Sequence, residues 1–305
     1  MAAALKFRKA YLEITNTCNL ACDFCPGTTR ATEYITPSRA ERYIALLAPI
    51  SGILHLHVMG EPLQHPEFGA ILASCAEHGA KVNLVTNGTL LSRHATRLLD
   101  SSAVHQISVS LHSLEANAGQ DTSFYIAQLI AFISSPKKRP IISLRLWNRG
   151  QSLNSKATGT FLTALCTSGI YEGTPAEIVQ YLQGKGTLKI ADTLFINTAK
   201  RFEWPDLTGP DLGAAGHCAG LRNQIAVLVD GTVTPCCLDR NGVTALGNLE
   251  TQTLEEIMAT PRARAMREGL LQRRLTEPLC RRCSYRQRFN TPHKGKQPHE
   301  CTNLD

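Results

Sequence analysis

A chain of 305 residues, 43% hydrophobic and 19% charged, suits one large α/β domain with a small appendage, and its composition is that of an ordinary globular protein. No apolar run approaches the roughly 20 residues that cross a bilayer, and the start, MAAALKFRKAYLEITN, lacks the apolar centre of an export signal, so a cytoplasmic location without membrane contact is expected. The net charge of +7 is uneven, because residues 261–296 hold eleven Lys/Arg against Glu268 and Glu277. Such a basic end suits an acidic substrate, a nucleic acid or an acidic partner, and equally a solvated helix face.

Along the first two-thirds, strands are expected at 9–15, 53–58, 81–86, 105–111, 140–147 and 188–196. Helices are expected near 37–48, 66–78, 91–100, 122–134, 156–168 and 175–183. Thr36 before Pro37, and Thr174 before Pro175, are helix-start signals: a side chain that caps and a proline at the first helical position. Strands separated by helices imply right-handed β-α-β units and a parallel sheet. Six units are too few for a closed eight-stranded barrel and suit an open or partial one.

Several strands alternate in polarity, where a parallel strand covered on both sides would be apolar throughout. Tyr11, Glu13 and Thr15 oppose Leu12 and Ile14; His55, His57 and Met59 oppose Leu54, Leu56 and Val58. Ser108, Ser110 and His112 oppose Ile107, Val109 and Leu111; Ser143, Arg145 and Trp147 oppose Ile142, Leu144 and Leu146. The polar faces are read as lining an interior lumen of substrate size, with the apolar faces under the helices.

After residue 197 the texture changes. Residues 197–217 are rich in Gly, Pro and Asp and read as a linker. NQIAVLVDGTVTPCC reads as a hairpin turning at Asp230-Gly231, and short helices follow near 252–258 and 261–273 before CRRC. The expected organisation is a core at 1–197, a linker at 198–216, a small hairpin-plus-helix domain at 217–290 and a polar tail at 291–305. Residues 148–160 read as a loop.

Eleven cysteines without an export signal point to metal or redox chemistry rather than a disulfide framework. Cys18, Cys22 and Cys25 follow the first strand with CxxxCxxC spacing. Three thiolates can hold three irons of a [4Fe–4S] cube and leave the fourth iron open, as a catalytic zinc keeps an open position. Cys218, Cys236, Cys280 and Cys283 form a second set, whose spacing alone fits a structural zinc about as well as a fully ligated cluster. Cys75 and Cys166 read as small apolar helix residues, and Cys301 as a free thiol. His55, His57 and His112 are lumen candidates for substrate contact or proton removal, although a structural histidine is the more common outcome.

CNLACDFC, with Phe24 before the third cysteine, resembles the CxxxCxΦC motif of the radical S-adenosylmethionine (SAM) superfamily. MGEPL at 59–63 resembles that family's GGEP segment, with Gly60, Glu61 and Pro62 matching and Met59 in place of the first glycine. TNGTLL at 86–91 and VSLHS at 109–113 resemble its third- and fourth-strand segments. The resemblance covers residues 7–197 and implies a partial (β/α)6 barrel. It also implies SAM on the open iron, contacts from Phe24, Gly60, Glu61, Pro62, Asn87, Ser110 and Arg145, and reductive cleavage to a 5′-deoxyadenosyl radical. The C-terminal pattern resembles the twitch form of the SPASM extension. That implies a single auxiliary [4Fe–4S] cluster on Cys218, Cys236, Cys280 and Cys283, with Cys237 as an alternative to Cys236, and hence two [4Fe–4S] clusters in the chain. Full ligation favours an electron-transfer role for this cluster. An external reductant such as flavodoxin or ferredoxin is implied, and a lumen base such as a histidine or Glu13 is left unassigned.

Two substrate classes follow from the resemblance. Small polar molecules such as aminocyclitols or sugars, oxidised by two electrons, are slightly preferred. Ribosomally made peptides, crosslinked, epimerised or joined by a thioether, are the alternative. The twitch-bearing GTP cyclase of molybdopterin synthesis fits less well, because its auxiliary spacing differs and it ends in Gly-Gly. A zinc-containing nucleic-acid-binding protein explains the basic end but not the motifs after the strands.

Overall fold

A computed structural model describes residues 5–114, 122–135, 140–147, 153 and 155–289. Cys301, the polar tail and most of the loop expected at 148–160 lie outside them. The core alternates β1 (Phe7–Leu12), α1 (Pro37–Leu47), β2 (Ser51–His55), α2 (Phe68–Glu77), β3 (Val82–Thr86), α3 (Leu91–Asp100), β4 (Val104–Ser110), α4 (Thr122–Ile133) and β5 (Ile141–Leu146). Then come α5 (Lys156–Thr167), α6 (Pro175–Lys185), β6 (Thr187–Ala191) and β7 (Leu194–Thr198). β1 to β5 and then β7 are parallel neighbours in sheet order, the six-stranded core of a partial barrel.

The helix starts behave as their sequences dictate. Thr36 accepts from the Arg39 N–H, with Pro37 at the first position. Thr174 and Glu177 form a reciprocal capping box, and α6 ends on Gly186 in the left-handed region.

Two expectations are corrected. The strand expected at 188–196 is a hairpin, in which β6 runs antiparallel to β7 and only β7 joins β5. The first strand ends at Leu12 rather than residue 15: the Glu13 N–H makes a last bond to the Val227 carbonyl at 2.9 Å, and beyond it the Glu13 carboxylate takes the N–H groups of Met59 and Val229.

The C-terminal part is not a detached appendage. β8 (Gln224–Val227) pairs parallel with β1, β9 (Thr232–Thr234) pairs antiparallel with β8, and β10 (Gly247–Asn248) closes a ten-stranded mixed sheet. α7 (Leu254–Ala259), α8 (Pro261–Leu271) and α9 (Pro278–Arg281) follow. The expected linker is pinned: Arg286 donates to the carbonyls of Leu212, Gly213 and Ala215, and Arg281 pairs with Asp211 at 2.6 Å. Much of the described basic segment is thus spent internally, with Arg262 likewise paired to Glu277 at 2.6 Å.

The alternation of polarity sorts the sheet as expected. Leu12, Leu54, Leu84, Ile107, Ile142, Leu144, Leu194 and Ile196 are buried under the helices. On the other face, register sets Lys9 and Tyr11 on β1, His55 on β2, Asn83 on β3, Ser108 on β4, Ser143 and Arg145 on β5 and Asn197 on β7. Hydrogen bonds run along this polar face, from Ser108 to Asn83 at 3.1 Å and from Asn197 to Ser143 at 2.6 Å. The apolar face is the one covered by the crossover helices, and a twisted parallel sheet covered on one side coils away from its helices, so the polar face is the concave one.

Candidate active site

The loop after β1 carries Cys18, Cys22 and Cys25, with Cys18 and Cys25 exposed and the Cys25 N–H closing a turn on the Cys22 carbonyl at 3.0 Å. Two loops position it. Gly60 sits at φ +78°, and a Cβ there would fall 2.6 Å from the Thr15 carbonyl oxygen and 2.7 Å from that of Thr17. Glycine is what lets the MGEP loop press on the cluster loop, and the Glu61 N–H donates to Thr17 O at 2.8 Å. From the β3 end, Asn87 donates through Nδ2 to Asn19 at 2.9 Å and lies 3.9 Å from the Cys18 sulfur.

Glu61 is buried, and both carboxylate oxygens are engaged. Oε1 accepts from the Leu63 N–H and the Thr86 hydroxyl, and Oε2 from the Asn87 N–H. Burial raises its pKa to about 7. In this arrangement Glu61 shapes the 86–88 turn.

Glu13, expected as a candidate base, is likewise fully engaged. It accepts from Arg30 at 2.7 Å and from the N–H groups of Met59 and Val229, each at 3.0 Å. A buried carboxylate held by a guanidinium and two amides is a structural joint.

The histidines behave differently from one another. His55 stacks on Tyr11 with ring centroids 4.5 Å apart and is 2% exposed, and neither ring nitrogen has a partner. His57 lies edge-on to both at 5.7–5.8 Å with an unpartnered Nδ1. Burial and then the Arg145 charge push His57 down to about 3. His112 is held through Nδ1 by the Arg145 carbonyl at 3.0 Å and is depressed to about 4, mainly by burial. Phe24 meets His112 at 4.9 Å, and Arg145 lies 3.2 Å over the Trp147 ring. Ser110 stands beside Arg145 in register, at the β4 terminus.

In the second cysteine set, Cys218, Cys236, Cys280 and Cys283 line one cavity with Pro205 and Tyr285. Burial raises all four thiols, and the neighbouring sulfurs raise Cys236, Cys280 and Cys283 further. None is in a disulfide. Converging, buried, mutually destabilising thiolates fit a cationic metal group, which offsets the cost of deprotonation. Among the described residues no three His, Cys, Asp or Glu side chains converge tightly enough for a single metal ion. Cys237, the next residue, faces the other way and packs with Tyr11, Val58, Met59, Ala226 and Leu228.

Cys75 is fully buried in α2, as expected, whereas Cys166 in α5 is partly exposed. Sequence reasoning missed Arg30 and Asn241, which lie in irregular segments. Asn241 accepts from Thr28 Oγ1 at 2.8 Å and from the Thr29 N–H at 3.1 Å.

A curled α/β sheet with cysteine sets at both ends of its β1 and β8 region defines an iron–sulfur protein of the radical-chemistry type. The Radical SAM superfamily description matches residues 12–133, and SPASM, an iron–sulfur cluster-binding domain, matches residues 218–284. The chain belongs to the radical SAM superfamily and carries a C-terminal SPASM domain. Its family uses SAM and a [4Fe–4S] cluster, and the SPASM domain binds further cluster iron.

A PqqA peptide cyclase from Methylocella silvestris is 29% identical over 37% of this chain and 31% of its own length. An AdoMet-dependent heme synthase from Methanosarcina barkeri is 32% identical over 34% and 31%. The chain thus spans under a third of these relatives. Among solved structures, Streptococcus suis SuiB bound to precursor peptide SuiA aligns at a TM-score of 0.61 and 16% identity, over 91% of this chain and 71% of SuiB. BtrN in complex with AdoMet and 2-DOIA aligns at 0.55 and 17% identity, over 91% and 93%. At such identities they share the fold. No helix among the described residues is long and apolar enough to cross a membrane.

Proposed function

We propose that this chain is a radical SAM enzyme that modifies a ribosomally made peptide. Cys18, Cys22 and Cys25 hold the catalytic cluster, and Cys218, Cys236, Cys280 and Cys283 hold the auxiliary one. Bound there, the clusters and SAM supply electrons and a 5′-deoxyadenosyl radical able to remove a carbon-bound hydrogen.

The chain's own residues do the positioning. The Gly60–Pro62 loop, Asn87, Ser110 and Arg145 contact SAM, Phe24 packs beside it, and Glu61 acts by shaping the Asn87 turn. The curled sheet keeps water from the reacting carbon. A flavodoxin- or ferredoxin-class protein supplies the electrons.

The observation that carries the peptide reading over the small-polar-substrate reading is the lumen's chemistry. Among the described residues, the carboxylates at its wall are Glu13 and Glu61, and each is occupied by internal donors. Arg145 and Lys9 share the polar face. An aminocyclitol carries an ammonium group that this wall gives no carboxylate to meet. A neutral or acidic peptide side chain meets aromatic rings, neutral histidines and cationic groups. The sequence relatives named as peptide cyclases point the same way.

The test incubates anaerobically reconstituted protein, SAM and reductant with synthetic peptides encoded by short reading frames beside the gene, and separately with aminocyclitols. Peptide-dependent acceleration of 5′-deoxyadenosine release, with a mass change in the peptide and loss of both in Cys22→Ala, is expected. Acceleration by an aminocyclitol and by none of the peptides overturns the reading.

A further inference from the structure

α8 turns one side to the core and leaves the other uncovered. Ala263, Met266, Gly269 and Leu270 are buried, whereas Arg264, Arg267, Glu268 and Leu271 stand exposed on the opposite side. Their spacing of i, i+3, i+4 and i+7 puts these four on one stripe. Leu271 is 72% exposed, more than any other large apolar side chain among the described residues. Arg273 and Arg274 follow directly and are exposed as well. Arg262, Arg281 and Arg286 are spent on internal partners. The guanidiniums of Arg264, Arg267, Arg273 and Arg274 make no hydrogen bond or ion pair among the described residues. Four arginines against Glu268 leave this face a net +3.

The end of the helix holds the arrangement in place. The Arg274 N–H reaches back to the Gly269 carbonyl at 2.7 Å, and the Arg273 N–H to that of Leu270 at 3.3 Å, the paired closure of a helix that ends on a left-handed residue. That residue is Arg273, at φ +59°, where glycine is the usual occupant because a Cβ is disfavoured. An arginine there is less stable than glycine would be, and the turn makes no use of its guanidinium. Beyond the turn the chain enters the auxiliary site. The Gly216 N–H donates to the Arg273 carbonyl at 2.8 Å and the Leu275 N–H to that of Ala214 at 2.7 Å. Leu275, one residue after Arg274, lines the cavity of Cys218, Cys236, Cys280 and Cys283. The basic face thus borders the auxiliary cavity and takes no part in the lumen.

We propose that this face docks the chain's electron donor, a flavodoxin-class carrier, beside the auxiliary cluster. The assignment rests on the reading above, in which such a carrier supplies the electrons. Carriers of that class are acidic, and their flavin presents an apolar edge to solvent, which suits an exposed leucine flanked by arginines. A helix of 11 residues is about 16 Å long. That length serves the small, short-lived interface of an electron carrier, below about 1,200 Å2 in total, and is too little for a stable dimer. A second copy is also disfavoured by charge, since a two-fold contact would set the arginines of one copy against those of the other. A substrate peptide is needed at the lumen, which this face does not adjoin.

The test measures binding of oxidised bacterial flavodoxin to the anaerobic holoprotein by titration calorimetry at low and high salt. The double variant Arg267→Glu/Arg274→Glu should weaken binding about tenfold at low salt and flatten its salt dependence. Leu271→Ala should weaken binding with the salt dependence kept. Arg93→Glu, at an exposed position on α3, makes the same kind of charge change elsewhere and should leave binding unchanged. With dithionite, a small reductant that needs no docking, every variant should form 5′-deoxyadenosine at the wild-type rate. Flavodoxin-driven formation should fall in the double variant and in Leu271→Ala. Wild-type affinity in the double variant, or an equal loss in Arg93→Glu, overturns the docking face. So does a ferredoxin, or one of the peptides above, whose binding is lost in the double variant while that of flavodoxin persists. Peptide modified with dithionite while flavodoxin ignores the face sinks the docking assignment and leaves the peptide reading standing. Flavodoxin binding that follows the variants as stated, with no peptide modified, does the reverse.

Discussion

The Arg30 guanidinium lies 2.7 Å from the Glu13 carboxylate, which is entirely buried, and this pair ties three segments that the chain keeps far apart. Glu13 also holds the Met59 N–H of the MGEP loop and the Val229 N–H at the auxiliary hairpin. Arg30 also donates through Nε to the Arg240 carbonyl at 2.8 Å. The catalytic cysteine loop, the proposed SAM loop and the auxiliary domain are fastened at one buried joint.

Breaking one partner of such a joint leaves a buried charge uncompensated. Arg30→Ala is expected to destabilise the protein by about 3 kcal/mol, read by urea unfolding of the anaerobic holoprotein. Arg30→Lys should recover only part of this, since an ammonium cannot serve Glu13 and Arg240 in the planar fork of a guanidinium. An Arg30→Ala variant as stable as wild type would mean that the joint is not a stabilising one.

Gly60→Ala tests the close approach of two loops. Its Cβ would meet backbone oxygens of Thr15 and Thr17, which cannot swing aside as a side chain can, and its φ of +78° is strained for alanine. A loss of about 3 kcal/mol is expected, with weaker SAM binding by equilibrium dialysis. Unchanged SAM affinity would separate the loop from the cofactor.

Much of this arrangement was legible in the residues, for identifiable reasons. Alternation on the strands foretold the polar concave face, because period two is a local property that curling does not disturb. Thr36-Pro37, Thr174-Pro175 and Asp230-Gly231 carry their own local geometry and fell where expected. The hairpin of β6 and β7 reads as one strand in the sequence, since Asp192 and Thr193 form a two-residue turn without glycine or proline. The joint at Glu13 was not legible, because Val229 is 216 residues away and Arg30 lies in an irregular loop. The docking of β8 on β1 is equally non-local. The sides taken by Cys236 and Cys237 depended on how the chain leaves β9, which spacing does not encode.

The neutral histidines of the lumen set a pH dependence. His57 and His112 are depressed to about 3 and about 4, chiefly by burial. Between those values and about 6.5 the folded protein binds fewer protons than the unfolded chain, so stability rises with pH and falls as the solution is acidified. Each histidine should cost about 1 kcal/mol between pH 6.5 and 5.5. Urea unfolding of His57→Gln should show that much less loss over the same interval. An identical acid slope in wild type and variant would mean that His57 titrates as in the unfolded chain.

Asn241 provides the last test, because it links the two cysteine sets without belonging to either. Its Oδ1 accepts from Thr28 and Thr29, three and four residues beyond Cys25, and it lies five residues beyond Cys236. Asn241→Ala removes both bonds from a largely solvent-facing loop, so a stability loss of only about 1 kcal/mol is expected. The sharper effect should be kinetic. With its brace gone, the loop carrying Cys18, Cys22 and Cys25 opens more often, whereas the buried auxiliary cysteines keep their cavity. A chelator should therefore remove about four irons per chain faster from the variant, while the remaining four leave at the wild-type rate. Equal acceleration of both phases would show that Asn241 supports the whole auxiliary domain, and no acceleration would show that the catalytic loop is held by its own contacts alone.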